Sequence, residues 1–428
     1  ELEVERELAS LAAMNRPASG HIDVDGHHAL ARQLAADGVV LLKNDADVLP
    51  LRSGQRVAVV GSFAHELRFQ GGGSSRVKPT RVESPLDEMR ALAGSVAAEI
   101  VSAPGFARDG GDREAAALRA EAATLAAGVD VAVVFVGLDE LDESEGYDRT
   151  TLSLPPHQEE LIRAVAAQAP RTVVVLSNGG LVTLEGWHDE VDAVVEGWLL
   201  GQAGGGALAD VLFGVVNPSG RLAETIPLRL ADTPAFLTFP GEQGHVRYGE
   251  GVMVGYRHHA TVGSPVRYPF GHGLSYTSFT TSDLAVEVTG ADSVKAAVTV
   301  TNDGPRAGKH VVQVYVSTEA GPVRRPVREL RAFRKVSLDS GAATRVEVEL
   351  DARAFAYWDV LRHRRVVAPG RYRVQIGRDA HTVLVEAEVD LDGELVAEQL
   401  TLLSPVGELL GHDLVHVGEV PVTHGASR

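Results

Sequence analysis

Between residues 56 and 213, short runs rich in β-branched residues alternate with segments of helical periodicity. The runs are Arg56 to Gly61, Ala98 to Ser102, Val131 to Gly137, Arg171 to Ser177 and Val191 to Trp198, each bounded by Gly, Pro or Asp. Between them, apolar residues recur every three to four positions at about Ser84 to Ala93, Arg113 to Ala127, Pro156 to Ala169 and Ala203 to Phe213. This alternation predicts an α/β sandwich, a mostly parallel sheet with helices on both faces and ligands at the strand C-termini. Upstream, helical spacing from His27 runs on through Val39-Val40-Leu41-Leu42 to Lys43 and ends at Asn44.

The pattern changes past Pro227. Residues 234–269 are rich in Gly, Pro, Tyr and His with little periodicity, and read as an extended connection. From Tyr276 the period is two, with strands expected at Lys295 to Thr301, His310 to Val316, Phe333 to Leu338, Thr344 to Leu350, Tyr372 to Gly377 and Thr382 to Val389. Turn formers at Asn302-Asp303-Gly304-Pro305, Ser340-Gly341 and Pro369-Gly370 separate them, which predicts an antiparallel β-sandwich of fibronectin type III or immunoglobulin kind. The expected division is a linker at 1–25, the α/β domain at 26–232, the connection at 233–275, the β-sandwich at 276–390 and a tail of unassigned fold at 391–428.

Composition narrows the function. A chain of 428 residues is long enough for two or three domains. No apolar run approaches the roughly 18 residues that a membrane span needs. The formal net charge of −18 argues against a nucleic-acid partner, whose phosphates are met by clustered Lys and Arg. There is no cysteine, which removes disulfides, thiolate metal sites and thiol nucleophiles but does not decide the compartment. The chain begins at Glu1 without a methionine or an apolar leader, and is read as processed, trimmed or partial. Cytoplasmic and secreted locations both stay open, with the cytoplasm preferred.

Candidate chemistry concentrates in Glu143-Ser144-Glu145-Gly146-Tyr147-Asp148-Arg149, just behind the Val131 to Gly137 run. A carboxyl group at a sheet's C-terminal edge is placed to exchange protons with a ligand, although acidic residues there also serve as caps or solvated loops. Gly71-Gly72-Gly73-Ser74-Ser75 is glycine-rich, but Arg76-Val77-Lys78-Pro79 follows where a P-loop has Gly-Lys-Ser or Gly-Lys-Thr opening a helix. A nucleotide-binding reading is therefore unsupported, and a loop that hydrogen-bonds a polyhydroxylated ligand stands beside a plain flexible turn. The pairs His27-His28 and His258-His259 lack metal-ligand spacing and are read as structural or surface residues. Trp187 and Trp198 are read as core residues, and no Gly-x-Ser-x-Gly elbow is present.

In order along the chain, Ala31 to Leu51 (ARQLAADGVVLLKNDADVLPL), the QGGGSSRVKP of Gln70 to Pro79 and Glu145 to Pro155 (EGYDRTTLSLP) resemble the C-terminal half of family 3 glycoside hydrolases of the β-glucosidase type. The likeness continues through Ala209 to Gly214, Asn217 to Leu222, Tyr248 to Arg257, Tyr268 to Tyr276, Val311 to Ser317 and Pro326 to Leu330. The resemblance implies retaining hydrolysis of terminal non-reducing β-D-glucosyl residues by two carboxyl groups and no cofactor or metal. It makes Glu145 the acid/base, with Glu143 as the alternative two positions away. It implies that Gln70, Gly72, Gly73, Ser74 and Ser75 face the sugar, and that Asp148 and Arg149 support the loop by pairing.

The same family places its aspartate nucleophile in an N-terminal (β/α)8 barrel, and no matching segment occurs in this sequence. Ser282-Asp283-Leu284 lies at the start of the β-sandwich and is no substitute. The expectation is a chain nearly inactive alone, partnered by a barrel domain or chain and a β-linked glycoside or oligosaccharide, with self-association left open. A non-catalytic carbohydrate-binding or scaffold subunit is the alternative.

Overall fold

The computed structural model describes residues 22–108, 112–146 and 148–394. The expected tail from residue 395 onward, and residues 1–21 of the expected linker, lie outside the described residues.

The α/β unit is built on a six-stranded sheet. Its strands are β1 (Val40–Asn44), β2 (Arg56–Val60), β3 (Glu99–Ala103), β4 (Val131–Gly137), β5 (Thr172–Ser177) and β6 (Ala193–Glu196), in the order β1-β6-β5-β4-β2-β3. All neighbours are parallel except β1, which runs antiparallel to β6. Every residue of β4 and β5 is buried, as a sheet covered on both faces requires. The α/β architecture and parallel sheet match the periodicity.

One expected boundary is displaced. The Val39 to Leu42 run does not continue the preceding helix, which spans Val24–Gly38, and Val40 onward forms β1. Val39, Val40, Leu41 and Leu42 are at most 1 % exposed, and a run apolar on every side fits a strand enclosed on both faces better than a helix with a polar face.

Local chemistry sets the helix starts. Asp23 caps Val24–Gly38 by accepting from the Gly26 N–H at 2.8 Å. Ser84 does the same for Pro85–Ser95, whose first residue is a proline with no N–H to leave unpaired. Val24–Gly38 and Pro85–Ser95 both pack against Gly204–Leu212, while Asp112–Ala126 packs against Pro156–Ala166.

The connection carries more structure than its composition predicts. Strand β7 (Ile226–Pro227) pairs with β8 (Val266–Tyr268), and a helix spans Tyr256–Val262. Beyond it lie β9 (Phe279–Gly290), β10 (Ser293–Asn302), β11 (Gly308–Thr318), β12 (Glu329–Leu338), β13 (Ala343–Leu350), the short β14 (Tyr357–Asp359) and β15 (Arg364–Val366), β16 (Gly370–Gly377) and β17 (Val383–Leu391). The sheets β13-β10-β9 and β12-β11-β16-β17 are antiparallel and enclose a core that includes Val298, Val300, Val314, Phe355, Tyr372 and Ile376. Strand β10 alternates partly and fully buried residues along its length, the period-two signature. Strand β9 was not among the expected strands: it is an edge strand with mostly exposed or half-buried residues, so its apolar alternation is weak.

The two units are tied together. Leu41 of β1 forms a β-bridge with Leu274, and His272 Nε2 meets the Leu42 carbonyl at 2.9 Å. Buried Gln313 of β11 donates to the carbonyls of Gly271 and Arg378, at 3.0 and 2.8 Å. Lys309 of the same strand pairs with Asp37 at 2.6 Å.

Candidate active site

The C-terminal ends of β2, β4, β5 and β6 open onto one edge of the sheet, and the loops that follow them converge there. Close packing at the strand end positions the acidic loop. Gly137, the last residue of β4, lies so near β5 that a Cβ would come 1.9 Å from the Ser177 carbonyl oxygen. Its N–H donates to Gln158 Oε1 at 2.8 Å, so the chain leaves the sheet at a fixed point.

Glu145 lies on the exposed side of that loop. Its carboxylate accepts from the Ser74 hydroxyl in a short contact and from the Ser74 N–H at 3.3 Å. The Ser74 hydroxyl, then the Ser74 N–H, hold its pKa below the ordinary glutamate value. Gly73 makes this approach feasible: its φ is +68°, and a Cβ there would sit 3.1 Å from Glu145 Cβ.

Glu143, two residues away, is in a different environment. Its Oε2 accepts from the Gly179 N–H at 2.7 Å and its Oε1 from the Gly180 N–H at 2.6 Å. Arg68 Nη1 stands 3.8 Å from the same carboxylate, and the Glu143 side chain is only 11 % exposed. Arg68, itself buried, donates to the carbonyls of Leu138 at 2.8 Å and Gln70 at 3.0 Å. It thus joins the end of β4 to the glycine-rich loop.

The other expected site residues divide. Ser74 is at Glu145, whereas both ends of the Gln70 amide are occupied by the Val77 backbone at 2.8 and 3.1 Å, and Ser75 Oγ donates to the Gly72 carbonyl at 2.9 Å. Gly72 packs toward Glu140, which Arg76 contacts. Among the described residues no ion pair joins Asp148 to Arg149. Asp148 is exposed, and Arg149 instead donates to the Leu181 carbonyl at 3.0 Å, where a backbone acceptor fixes it between two loops. Beside the glycine-rich loop a cleft of about 500 Å³ is lined by Arg68, Gln70, Gly71, Arg76, Lys78 and Arg108. A larger one, about 930 Å³, lies elsewhere among Glu185, Pro234, Phe236 and Leu237.

Several residues here escape sequence patterning. Glu196, the last residue of β6, is fully buried; its oxygens accept from the Trp198 N–H at 2.9 Å and from Asn178 Nδ2 at 3.3 Å. Burial pushes its pKa up to about 8, with Glu224 and Glu143 adding to the rise. Trp198 is half-buried with φ +48°, an unusual conformation for a bulky residue. The only sequence signal for Glu196 is a lone acid inside an apolar run. Arg68 Nη2, Arg149 Nη1, Ser177 Oγ and Asn178 Oδ1 are buried without a hydrogen-bond partner in the protein, so unpaired polar atoms gather at this end of the sheet. Trp187 is buried core, His28 bonds Glu83, and His259 bonds Ser264, all as structural residues. No group of His, Cys, Asp and Glu among the described residues could hold a metal ion. No helix among them is long and apolar enough to cross a membrane.

Residues 39–276 match the glycosyl hydrolase family 3 C-terminal domain, and residues 310–380 match a fibronectin type III-like domain. The exo-alpha-(1->6)-L-arabinopyranosidase of Bifidobacterium longum is 44 % identical over 395 residues, covering 90 % of this chain and 52 % of the relative. Thermostable beta-glucosidase B of Acetivibrio thermocellus is 43 % identical over 406 residues, covering 94 % and 53 %. The crystal structure of a family 3 β-glucosidase from Bifidobacterium adolescentis superposes with a TM-score of 0.87 at 44 % identity, over 95 % of this chain and 59 % of that one. A β-glucosidase from Streptomyces venezuelae in complex with D-glucose gives 0.82 at 29 % identity, over 88 % and 62 %. The chain spans about half the length of the curated relatives it matches. Fold and sequence align it with the C-terminal part of glycosidases. The chain belongs to glycoside hydrolase family 3.

Proposed function

We propose that this chain supplies the proton-transferring half of a retaining, β-glucosidase-like hydrolase, with Glu145 as the acid/base. The observation that carries this reading is the contrast between two neighbouring carboxyl groups: Glu143 has both oxygens bonded to backbone amides inside the protein, while Glu145 is exposed and bonded to one serine. A proton donor must reach the substrate, and of the two only Glu145 extends outward.

The second carboxylate, an aspartate nucleophile, comes in this reading from a (β/α)8 barrel on another polypeptide or in a longer form of this one. A retaining mechanism needs the two groups about 5 to 5.5 Å apart. Glu145 protonates the glycosidic oxygen as the aspartate attacks the anomeric carbon, and the resulting carboxylate then takes a proton from the water that releases the sugar. Ser74 favours the carboxylate form, which makes protonated Glu145 the stronger acid in the first step and its carboxylate the weaker base in the second. The first step asks Glu145 to hold a proton, which exclusion of water by barrel and substrate promotes by raising its pKa. The relatives' names include both an arabinopyranosidase and a glucosidase, so aryl β-D-glucosides and aryl α-L-arabinopyranosides are the substrates to compare.

The test combines the chain with a family 3 barrel polypeptide. Hydrolysis is expected only from the mixture; Glu145→Gln should lose it on poor leaving groups, and on good aryl leaving groups, where breakdown of the glycosyl-enzyme becomes limiting, azide should partly restore turnover. An active complex that tolerates Glu145→Gln, or one that binds sugar without turnover, would refute the assignment.

A further inference from the structure

We propose that Glu143 is a positioning residue, a clamp that fastens the loop carrying Glu145 to the turn after β5 and holds it in place for proton transfer. The proposal rests on the reading of Glu145 as the acid/base. Gly179 and Gly180 present two consecutive N–H groups, and each takes one oxygen of the Glu143 carboxylate, at 2.7 and 2.6 Å. Successive backbone amides aimed at one anion form a small concave anion site, and hydrogen bonds to a charged acceptor are roughly twice as strong as neutral ones.

The clamp is braced from both sides. Arg68 brings its guanidinium within 3.8 Å of the carboxylate while bonded to Leu138 and Gln70, so the end of β4 and the glycine-rich loop are drawn to the same point. Beneath the turn, Asn178 Nδ2 donates to the Gly180 carbonyl at 3.0 Å and to Glu196 at 3.3 Å. Glu145 has no comparable support, since the only hydrogen-bond partner of its carboxylate among the described residues is Ser74. A single residue, Ser144, separates Glu143 from Glu145, so any slack at the clamp is passed directly to the proton donor. Displacing a reacting group by about 1 Å can cost about 100-fold in rate.

Chemistry also specifies the side chain. Glutamine offers one acceptor oxygen and would turn an amide N–H₂ toward the other backbone N–H, so it holds one bond and opposes the second. Alanine holds neither.

Two measurements test the clamp. The first is hydrogen exchange on the 428-residue chain: Glu143→Ala is expected to speed exchange at residues 139–146 and 179–181 while leaving β4 and β5 protected, with Glu143→Gln in between. The second uses the barrel-completed enzyme, where kcat for an aryl glucoside should fall about 100-fold in Glu143→Ala with KM changed less than about threefold and without rescue by azide. Unchanged exchange in both segments, or an undiminished kcat in the folded variant, would overturn the proposal. Azide rescue of Glu143→Ala would also overturn it, because Glu143 would then be the proton donor. If Glu145→Ala keeps full activity the acid/base reading fails instead, and the exchange measurement still decides whether the clamp exists.

Discussion

Glu145 and Ser74, 71 residues apart in sequence, are joined by two hydrogen bonds across the mouth of the sheet, from the serine hydroxyl and from its backbone N–H. Both donors favour the ionised carboxylate. Replacing Ser74 with alanine removes the larger influence. The Glu145 titration midpoint should therefore rise toward the ordinary value near ~4.3, read from its side-chain carboxyl chemical shift against pH in the isolated chain. An unmoved midpoint would mean that the contact does not persist in solution.

Glu196 makes stability depend on pH in the opposite sense from a salt-bridged acid. An unfolded glutamate titrates near ~4.3, whereas burial keeps Glu196 protonated up to about 8. Between those values the native state binds a proton that the unfolded chain releases, so this group's contribution to stability falls as pH rises through the window and levels off above it. Glu196→Gln should flatten urea-unfolding stability over that range. An unaltered profile would show that Glu196 does not titrate as burial dictates.

Gly137→Ala should be among the most damaging small substitutions. The added methyl group would fall 1.9 Å from the Ser177 carbonyl oxygen at the last pair of the β4–β5 ladder, where neither strand can yield without breaking that pairing. A loss of about 3 kcal/mol is expected from overpacking, measurable by urea denaturation, with a change under about 1 kcal/mol counting against the packing argument.

Two cross-unit contacts should differ in strength despite their proximity on β11. Gln313→Ala strands the Gly271 and Arg378 carbonyls and removes the acceptor of the Tyr315 hydroxyl, all near buried positions, at a cost of roughly 2–3 kcal/mol. Lys309→Met breaks a partly exposed pair with Asp37 and should cost less than about 1 kcal/mol. Denaturation midpoints of the two variants give the ranking.

The alternation of β-branched runs and helical segments carried the α/β architecture because β2, β4 and β5 are short, apolar and sharply bounded. Periodicity failed where burial was extreme or slight. Leu41 and Leu42 are enclosed on all sides and have no polar face to reveal their period, and β9, with every residue exposed or half-buried, carries a period of two only over Leu284, Val286 and Val288. Of the candidate site, Glu143, Glu145 and Ser74 are legible in the sequence, because they lie in motifs of unusual composition. Its supports are not. Arg68, Asn178 and Glu196 come from three separate loops or strand ends, and their partnerships depend on strand order, which no local pattern encodes. Arg149 likewise takes a backbone carbonyl after β5 in place of its sequence neighbour Asp148.

The bridge from Leu41 to Leu274 has a consequence for how this chain can be cut. Strand β1 is an outer edge of the six-stranded sheet, and that edge is covered by a segment 233 positions downstream, beyond the α/β unit. An uncovered edge offers unpaired N–H and C=O groups as a template for other chains. A fragment ending before residue 274 would keep all six strands and both carboxylates of the acidic loop, yet it would leave Leu41 of β1 without its bridge partner. Such a fragment should aggregate through that edge, which makes the segment around Leu274 a guard that keeps the α/β unit from pairing with other chains.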